Sequence, residues 1–162
     1  MENVMNVAAY MFKRYHDEYG MDIDEMKLHK LLYFAQRESL IQTDMPLFEA
    51  DFHGWKYGPV LKEIRGVFKE ERFSDFDTDE IAPDTVRIID RVFDSYAKED
   101  SWSLSRLTHS ELSWKNSREG IAPGENGDNR MKLDDIRQDA QRIRTRRARL
   151  ELMRQLGLIQ ED

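Results

Sequence analysis

The sequence contains no cysteine. That excludes a disulfide framework, a cysteine-based zinc site and thiolate chemistry, and it fits a reducing compartment. Long apolar runs are missing as well; none approaches the roughly 20 residues a membrane-spanning helix needs. The N-terminus, Met1-Glu2-Asn3-Val4, lacks a basic region followed by an apolar one. No secretion signal is read, and the cytoplasm is the expected address. There is no glycine-rich phosphate loop. The four histidines, His16, His29, His53 and His109, are scattered. Only His109 and Glu111 sit close together, and two residues apart on a helix they point to different faces. No metal, no cofactor and no enzymatic activity are therefore expected.

What is present suits one soluble domain. A chain of 162 residues is long enough to bury a single core. The net charge of −7 hides an asymmetry. Between residues 137 and 149 six arginines (Arg137, Arg142, Arg144, Arg146, Arg147 and Arg149) stand against one acid, Asp139. An acidic body with a basic C-terminal segment suggests docking within the chain, or a partner that meets both signs. Arg142, Arg146 and Arg149 share a helix face, as a phosphate-tracking helix requires. A pI of about 5.2 argues against a broad nucleic-acid footprint. A solvated or acid-paired face ranks first, an acidic partner protein second and nucleic acid third.

Periodicity predicts a mainly α fold: a single-domain bundle of about six helices, with a short extended segment or small hairpin near 47–56. The first helix starts at Val4, with Ala8, Met11, Phe12 and Tyr15 on its buried face, and ends before Gly20. Asp22 is the expected N-cap of the second, with Glu25 completing a capping box and Met21 stapled on Met26. That helix is apolar over more than half its circumference and so central. Lys27 and Lys30 share one narrow face and His29 projects elsewhere; all three are expected to form a solvated stripe, with a partner-contact role as the alternative. From Leu47 to Trp55 apolar and polar residues alternate, the period of a strand. Gly58-Pro59 is expected to open the third helix, and Glu70 to Asp79 to form a loop. A fourth helix starts at Pro83. A fifth, capped by Ser101 or Ser103, runs to near Trp114. Residues 115–130 are polar, with Pro123-Gly124 and Asn126-Gly127 as turn signals, and are the expected mobile loop. Leu133 to Leu156 reads as one last helix with an apolar three-four seam. This divides the chain into a helical core (1–114), a polar loop (115–130) and an Arg-rich C-terminal helix (131–162).

Trp55 and Tyr57 stand next to a turn. They read either as core with a hydrogen-bonded tip or as interface anchors, the core reading slightly ahead.

Three motifs resemble one family. The run Lys27-Leu28-His29-Lys30-Leu31-Leu32-Tyr33-Phe34-Ala35 is similar to the "KLQKLLYFA" signature of the Panacea antitoxin domain, also called SocA-like or phage-associated GepA-like. The stretch Phe52-x-Gly54-Trp55-x-Tyr57-Gly58-Pro59-Val60 resembles its "F-x-A-W-x-Y-G-P-V" element. Leu104, Ser105, Leu107, Thr108, His109, Glu111 and Trp114 match its "LS-x-LTH-x-E-x-x-W" element. His29 stands where glutamine is usual and Gly54 where alanine is common; neither is expected to disturb the pattern. The resemblance implies a mostly helical, non-enzymatic antitoxin from a bacterial or prophage toxin–antitoxin pair, which neutralises a cognate toxin by binding it. In some members it implies an adaptor that presents the toxin to a protease. The candidate partner contacts are Lys27, Lys30, Trp55, Tyr57, Arg142, Arg146 and Arg149. Leu28, Leu31, Leu32, Tyr33, Phe34, Gly58, Pro59, Thr108, His109 and Trp114 define the domain. A DNA-binding regulator and an orphan prophage accessory protein are the competing readings. A monomer and a dimer fit equally.

Overall fold

The structure is a computed structural model that describes residues 1–160. The last two positions of the expected C-terminal segment, 161 and 162, lie outside the described residues. The fold is mainly α, with seven α-helices and one small antiparallel hairpin among the described residues.

Helix α1 (Val4–Tyr19) begins where the Asn3 side chain accepts from the Met5 and Asn6 amides, and stops at Gly20 in the left-handed region. Helix α2 (Glu25–Thr43) is the axis of the molecule. Every residue from Lys27 to Ile41 is buried. Helices α1, α3, α4, α5 and α7 and the hairpin all pack on it. Full burial of Leu28, Leu31 and Leu32 contributes about 1.5–3 kcal/mol each before chain entropy is set against it.

The cap of α2 differs from the expectation. Asp24, not Asp22, accepts from the Lys27 amide at 2.8 Å. Asp22 instead meets His16 Nδ1 at 2.9 Å. The Met21 staple does not form, because Met21 is exposed and Ile23 fills the apolar position beside the cap.

The alternation near residue 50 is real. Phe48, Phe52 and Gly54 are buried, while Glu49 and Asp51 are exposed. It leads into β1 (His53–Trp55), which pairs antiparallel with β2 (Gly58–Val60) across a two-residue turn. Gly58-Pro59 therefore lies in a strand and does not open a helix. The pairing tolerates Pro59 because its partner Gly54 turns its N–H outward, donating to Asn129 O at 2.8 Å. Helix α3 (Lys62–Lys69) starts only after Leu61.

The acidic stretch after α3 is a loop with one 3₁₀ turn (Phe73–Asp75). Helix α4 (Pro83–Val92) opens on proline and continues into a π-helical turn, Phe93–Ala97. The expected fifth helix is two helices, α5 (Ser101–His109) and α6 (Leu112–Ser117), and the cap of α5 is Asp100. The break occurs because α6 is started from outside. The buried Asp139 carboxylate, on α7 (Leu133–Gln155), accepts the Leu112 and Ser113 amides at 2.8 and 2.9 Å. The lone acid of the arginine segment is thus a helix cap supplied across the fold.

The polar loop is tied down at its end. Met131 donates to Phe52 O at 2.8 Å and is buried.

Gly54 is not a neutral departure from the family pattern. A Cβ there would lie 1.8 Å from Ser117 Oγ and 2.9 Å from Ser117 Cβ. In this chain Ser117 of α6 takes the space an alanine would use. Gly54→Ala is expected to cost about 1–3 kcal/mol by overpacking. Ser117→Gly in the same chain should recover most of that loss. Urea denaturation of the two singles and the double measures the coupling. An equal cost of Gly54→Ala with and without Ser117 would refute the steric account.

Candidate functional site

The hairpin, the N-terminal half of α2, the start of α3 and the end of the polar loop enclose an open cavity of about 780 Å³. Its lining includes Glu25, Lys30, Trp55, Tyr57, Arg65 and Asp128. The size is that of a small-ligand or side-chain pocket.

Trp55 forms one wall. It is half-buried, and three contacts hold it. Its Nε1 donates to Asp128 Oδ1 at 2.8 Å, and its carbonyl accepts from Trp114 Nε1 at 2.9 Å. The Arg65 guanidinium stands over its ring, 5.3 Å from the centroid. Trp114 is stacked in turn on His109, with centroids 4.0 Å apart. The Asp128 and Arg65 contacts orient the indole, the Trp114 bond holds its backbone, and the residue lines the cavity. The core reading of Trp55 and Tyr57 fails for both. Tyr57 is 43 % exposed, and its ring meets the exposed Trp102 edge-on at 5.1 Å. The two form an aromatic rim on the molecular surface.

The charges at the mouth are mostly committed. Asp128 also takes Lys62 Nζ at 2.5 Å. Hydrogen bonds from Lys62 and Trp55 hold its carboxyl below the usual carboxylate range. Glu25 accepts from Arg65 at 2.6 Å and from His29 Nε2 at 3.2 Å. The His29 bond, with help from Arg65, keeps Glu25 below its ordinary pKa despite partial burial. His29 Nδ1 accepts the Leu61 amide at 3.2 Å. Its proton therefore sits on Nε2, and burial keeps the ring neutral by lowering its pKa.

The solvated stripe expected on α2 does not exist, because neighbouring elements cover all three residues. Lys27 is buried, with its ammonium on Ala97 O at 3.0 Å and Tyr15 OH at 3.3 Å. It lies away from the cavity and is spent inside the fold, so it offers no surface contact. Lys30 is 1 % exposed but lines the cavity from behind. Its one hydrogen bond is long, 3.4 Å to Pro59 O. Burial lowers its pKa to about 7, against the pull of Asp24 and Glu25.

The arginines of α7 divide by role. Arg144 donates to the carbonyls of Leu40 and Ile41 at 2.6 and 2.8 Å, closing the C-terminus of α2. Arg147 grips Glu38 with two 2.9 Å bonds. Arg142, Arg146 and Arg149 are exposed, although Arg142 reaches Glu111 at 3.5 Å. Arg142 and Arg146 line a separate cleft with Phe34 and Tyr96. The structure thus brings Lys30, Trp55 and Tyr57 together and leaves the arginines elsewhere.

His109 and Glu111 diverge, His109 onto Trp114 and Glu111 into an ion pair with Arg37. Among the described residues no group of three or more His, Cys, Asp or Glu side chains could hold a metal. No described helix is long and apolar enough to cross a membrane.

Glu25, Arg65, Trp102 and Asp128 were not predicted as site residues. Asp128 sits in a loop with no local pattern, and the others are ordinary helix residues until the fold brings them to the hairpin.

The hairpin of this helical domain thus carries a hydrogen-bonded tryptophan beside an open cavity. The family described as antitoxin SocA-like, Panacea domain, matches residues 28–115, more than half of the chain. The protein belongs to this SocA-like antitoxin family. The match begins inside α2 and ends inside α6, so α1 and α7 lie outside it. No curated protein and no solved structure matches the chain.

Proposed function

We propose that this protein is the antitoxin of a toxin–antitoxin pair, and that it neutralises its toxin by direct protein–protein contact, without catalysis. The contact face is the hairpin cavity with its Tyr57–Trp102 rim. The observation that carries the reading is the state of Trp55: half-buried, fixed by Asp128, Arg65 and Trp114, and open on one side to a cavity. A rigid aromatic flanked by exposed aromatics loses little entropy on binding and is the usual anchor of an interface. The exposed Arg142, Arg146 and Arg149 form a second contact region suited to an acidic surface. Delivery of the toxin to a protease would use the same complex.

The test is co-expression with the adjacent reading frame, followed by pull-down. Growth arrest by the neighbour alone, relieved by this protein with recovery of a complex, is the expected result. Trp55→Ala is expected to weaken the complex by at least about 2 kcal/mol, or roughly thirtyfold, while keeping the helical circular dichroism. A folded Trp55→Ala protein that binds and neutralises as well as the wild type would rule out the hairpin face. A harmless neighbour with no complex would overturn the antitoxin assignment.

A further inference from the structure

We propose that the hairpin cavity is a carboxylate-recognition pocket. It takes a polypeptide segment of the partner that presents a carboxylate beside an apolar side chain. The Lys30 amine makes the anion contact at the back of the cavity, and Trp55 forms the wall for the apolar group.

The argument starts from an imbalance of charge. Lys30 carries three donors on a strongly hydrated ammonium, yet it is almost fully buried and holds one long contact, to the Pro59 carbonyl. Among the described residues it forms no ion pair. The carboxylates nearest the mouth are already engaged, Glu25 by Arg65 and His29, and Asp128 by Lys62 and Trp55. His29 is neutral, with both ring nitrogens bonded. Lys56 lies over the Tyr57 ring at 5.2 Å and adds a second cation at the rim. The charge left without a partner around this cavity is therefore positive.

Burying an unpaired ammonium is costly, and an entering anion relieves that cost. Met26, Trp55, Tyr57 and Val60 give the cavity apolar and aromatic walls, and Asn126 and Gly127 complete its lining. Such a pocket selects an amphipathic anion over a fully hydrated one.

The hairpin is shaped around this lysine. Gly58 has a φ of +116°, and a Cβ there would lie 2.7 Å from Lys30 Cε. The absent Cβ of this glycine leaves the space that the end of the Lys30 side chain occupies, with Nζ only 3.1 Å from where that Cβ would stand. The inference rests on the antitoxin reading only for which polypeptide carries the carboxylate.

Two probes separate the pocket from the partner. The full-length protein is titrated with N-acetyl-leucinate, a model of a carboxylate beside an apolar side chain, and with its uncharged analogue N-acetyl-leucinamide. The Cε resonance of Lys30 is followed by NMR. The acid is expected to shift that resonance and to raise the midpoint of its titration from about 7. The amide should bind at least about tenfold more weakly. Lys30→Met keeps the length and the apolar stem, and should lose the preference for the acid. Equal binding of acid and amide, binding of neither, or a preference that survives in Lys30→Met would each overturn the proposal.

Co-expression adds the second arm. If the probes fail while the protein still neutralises its neighbour, the pocket assignment falls and the antitoxin reading stands. If the acid binds as expected but no neighbour is neutralised, the pocket stands and the antitoxin reading falls.

Discussion

Glu111→Ala is expected to cost about 3–5 kcal/mol of folding stability at pH above 7. Glu111 and Arg37 form a buried ion pair that ties α2 to the break between α5 and α6. Arg37 also donates to Tyr96 OH at 2.9 Å and lies 4.8 Å from the centroid of the Phe34 ring, while its Nε has no partner. A guanidinium cannot shed its proton. Removing the carboxylate therefore leaves a buried charge with one hydroxyl and one ring face to answer it.

The reverse substitution is milder. In Arg37→Met the remaining group can neutralise itself. Burial, with the neighbouring Asp139, pushes Glu111 up to about 7 even while Arg37 pulls it down. Losing Arg37 moves it higher. A carboxyl whose folded pKa is raised contributes stability that is fully present below its unfolded pKa of about 4.5 and is lost as pH rises through the folded value. Below about 7 Glu111 is protonated in both proteins, and the deficit of Arg37→Met stays constant. Above it, the deficit grows at up to about 1.4 kcal/mol per pH unit, until the higher pKa of the variant is passed. The double variant Arg37→Met/Glu111→Leu should be more stable than Glu111→Ala. Denaturant titrations at acidic and mildly alkaline pH measure all three. A Glu111→Ala protein as stable as the wild type would show that the pair does not hold this junction.

Gly58→Ala is expected to destabilise by roughly 2–6 kcal/mol, from backbone strain of about 1–3 kcal/mol and overpacking of a similar size. At φ +116° an L side chain is strained in any surroundings. Here the space is also taken, by Thr108 Oγ1 at 2.6 Å and Lys30 Cε at 2.7 Å. Thr108 cannot readily turn away, because its hydroxyl donates to Ser105 O at 2.8 Å inside α5. The matched control is Gly66→Ala in the interior of α3, where nothing lies within 4 Å. That change should stabilise by about 0.5–1 kcal/mol. Thermal or urea unfolding of the two variants decides the matter. Equal effects at both positions would mean that Gly58 is not required by the hairpin. The prediction also bears on the site, since the methyl group added by Gly58→Ala would push on the stem of Lys30 and on the strand that carries the cavity.

The two networks share a design. In each, a polar group on the central helix is covered by elements far along the chain. Arg37 meets Glu111, and Lys30 lies under the Gly58 turn. This explains how the central helix carries lysines and an arginine without exposing them: Lys27, Lys30 and Arg37 are all buried in α2.

How much of this was legible before the fold is a matter of range. The helices near residues 4–19, 25–43, 83–97 and 133–155 follow from apolar spacing, because a helix face repeats every three to four residues and is written locally. The alternation ahead of Trp55 pointed to an extended segment for the same reason, and the three motifs carried the family. What periodicity could not decide was the partner of each polar residue. Lys27, His29 and Lys30 looked solvated because most of the residues that cover them lie far along the chain. Asp139 looked like one acid among arginines, because its role as the cap of α6 depends on α7 lying across that helix. Gly58-Pro59 has the local chemistry of a helix start and became a strand because Gly54 stood opposite with its amide turned to Asn129. The sequence alone determined where the long helices lie and which family the motifs make. The tertiary structure decided which charges are spent inside, and left Lys30 as a buried amine in the lining of an open cavity, because pairing and desolvation are set by neighbours in space rather than along the chain.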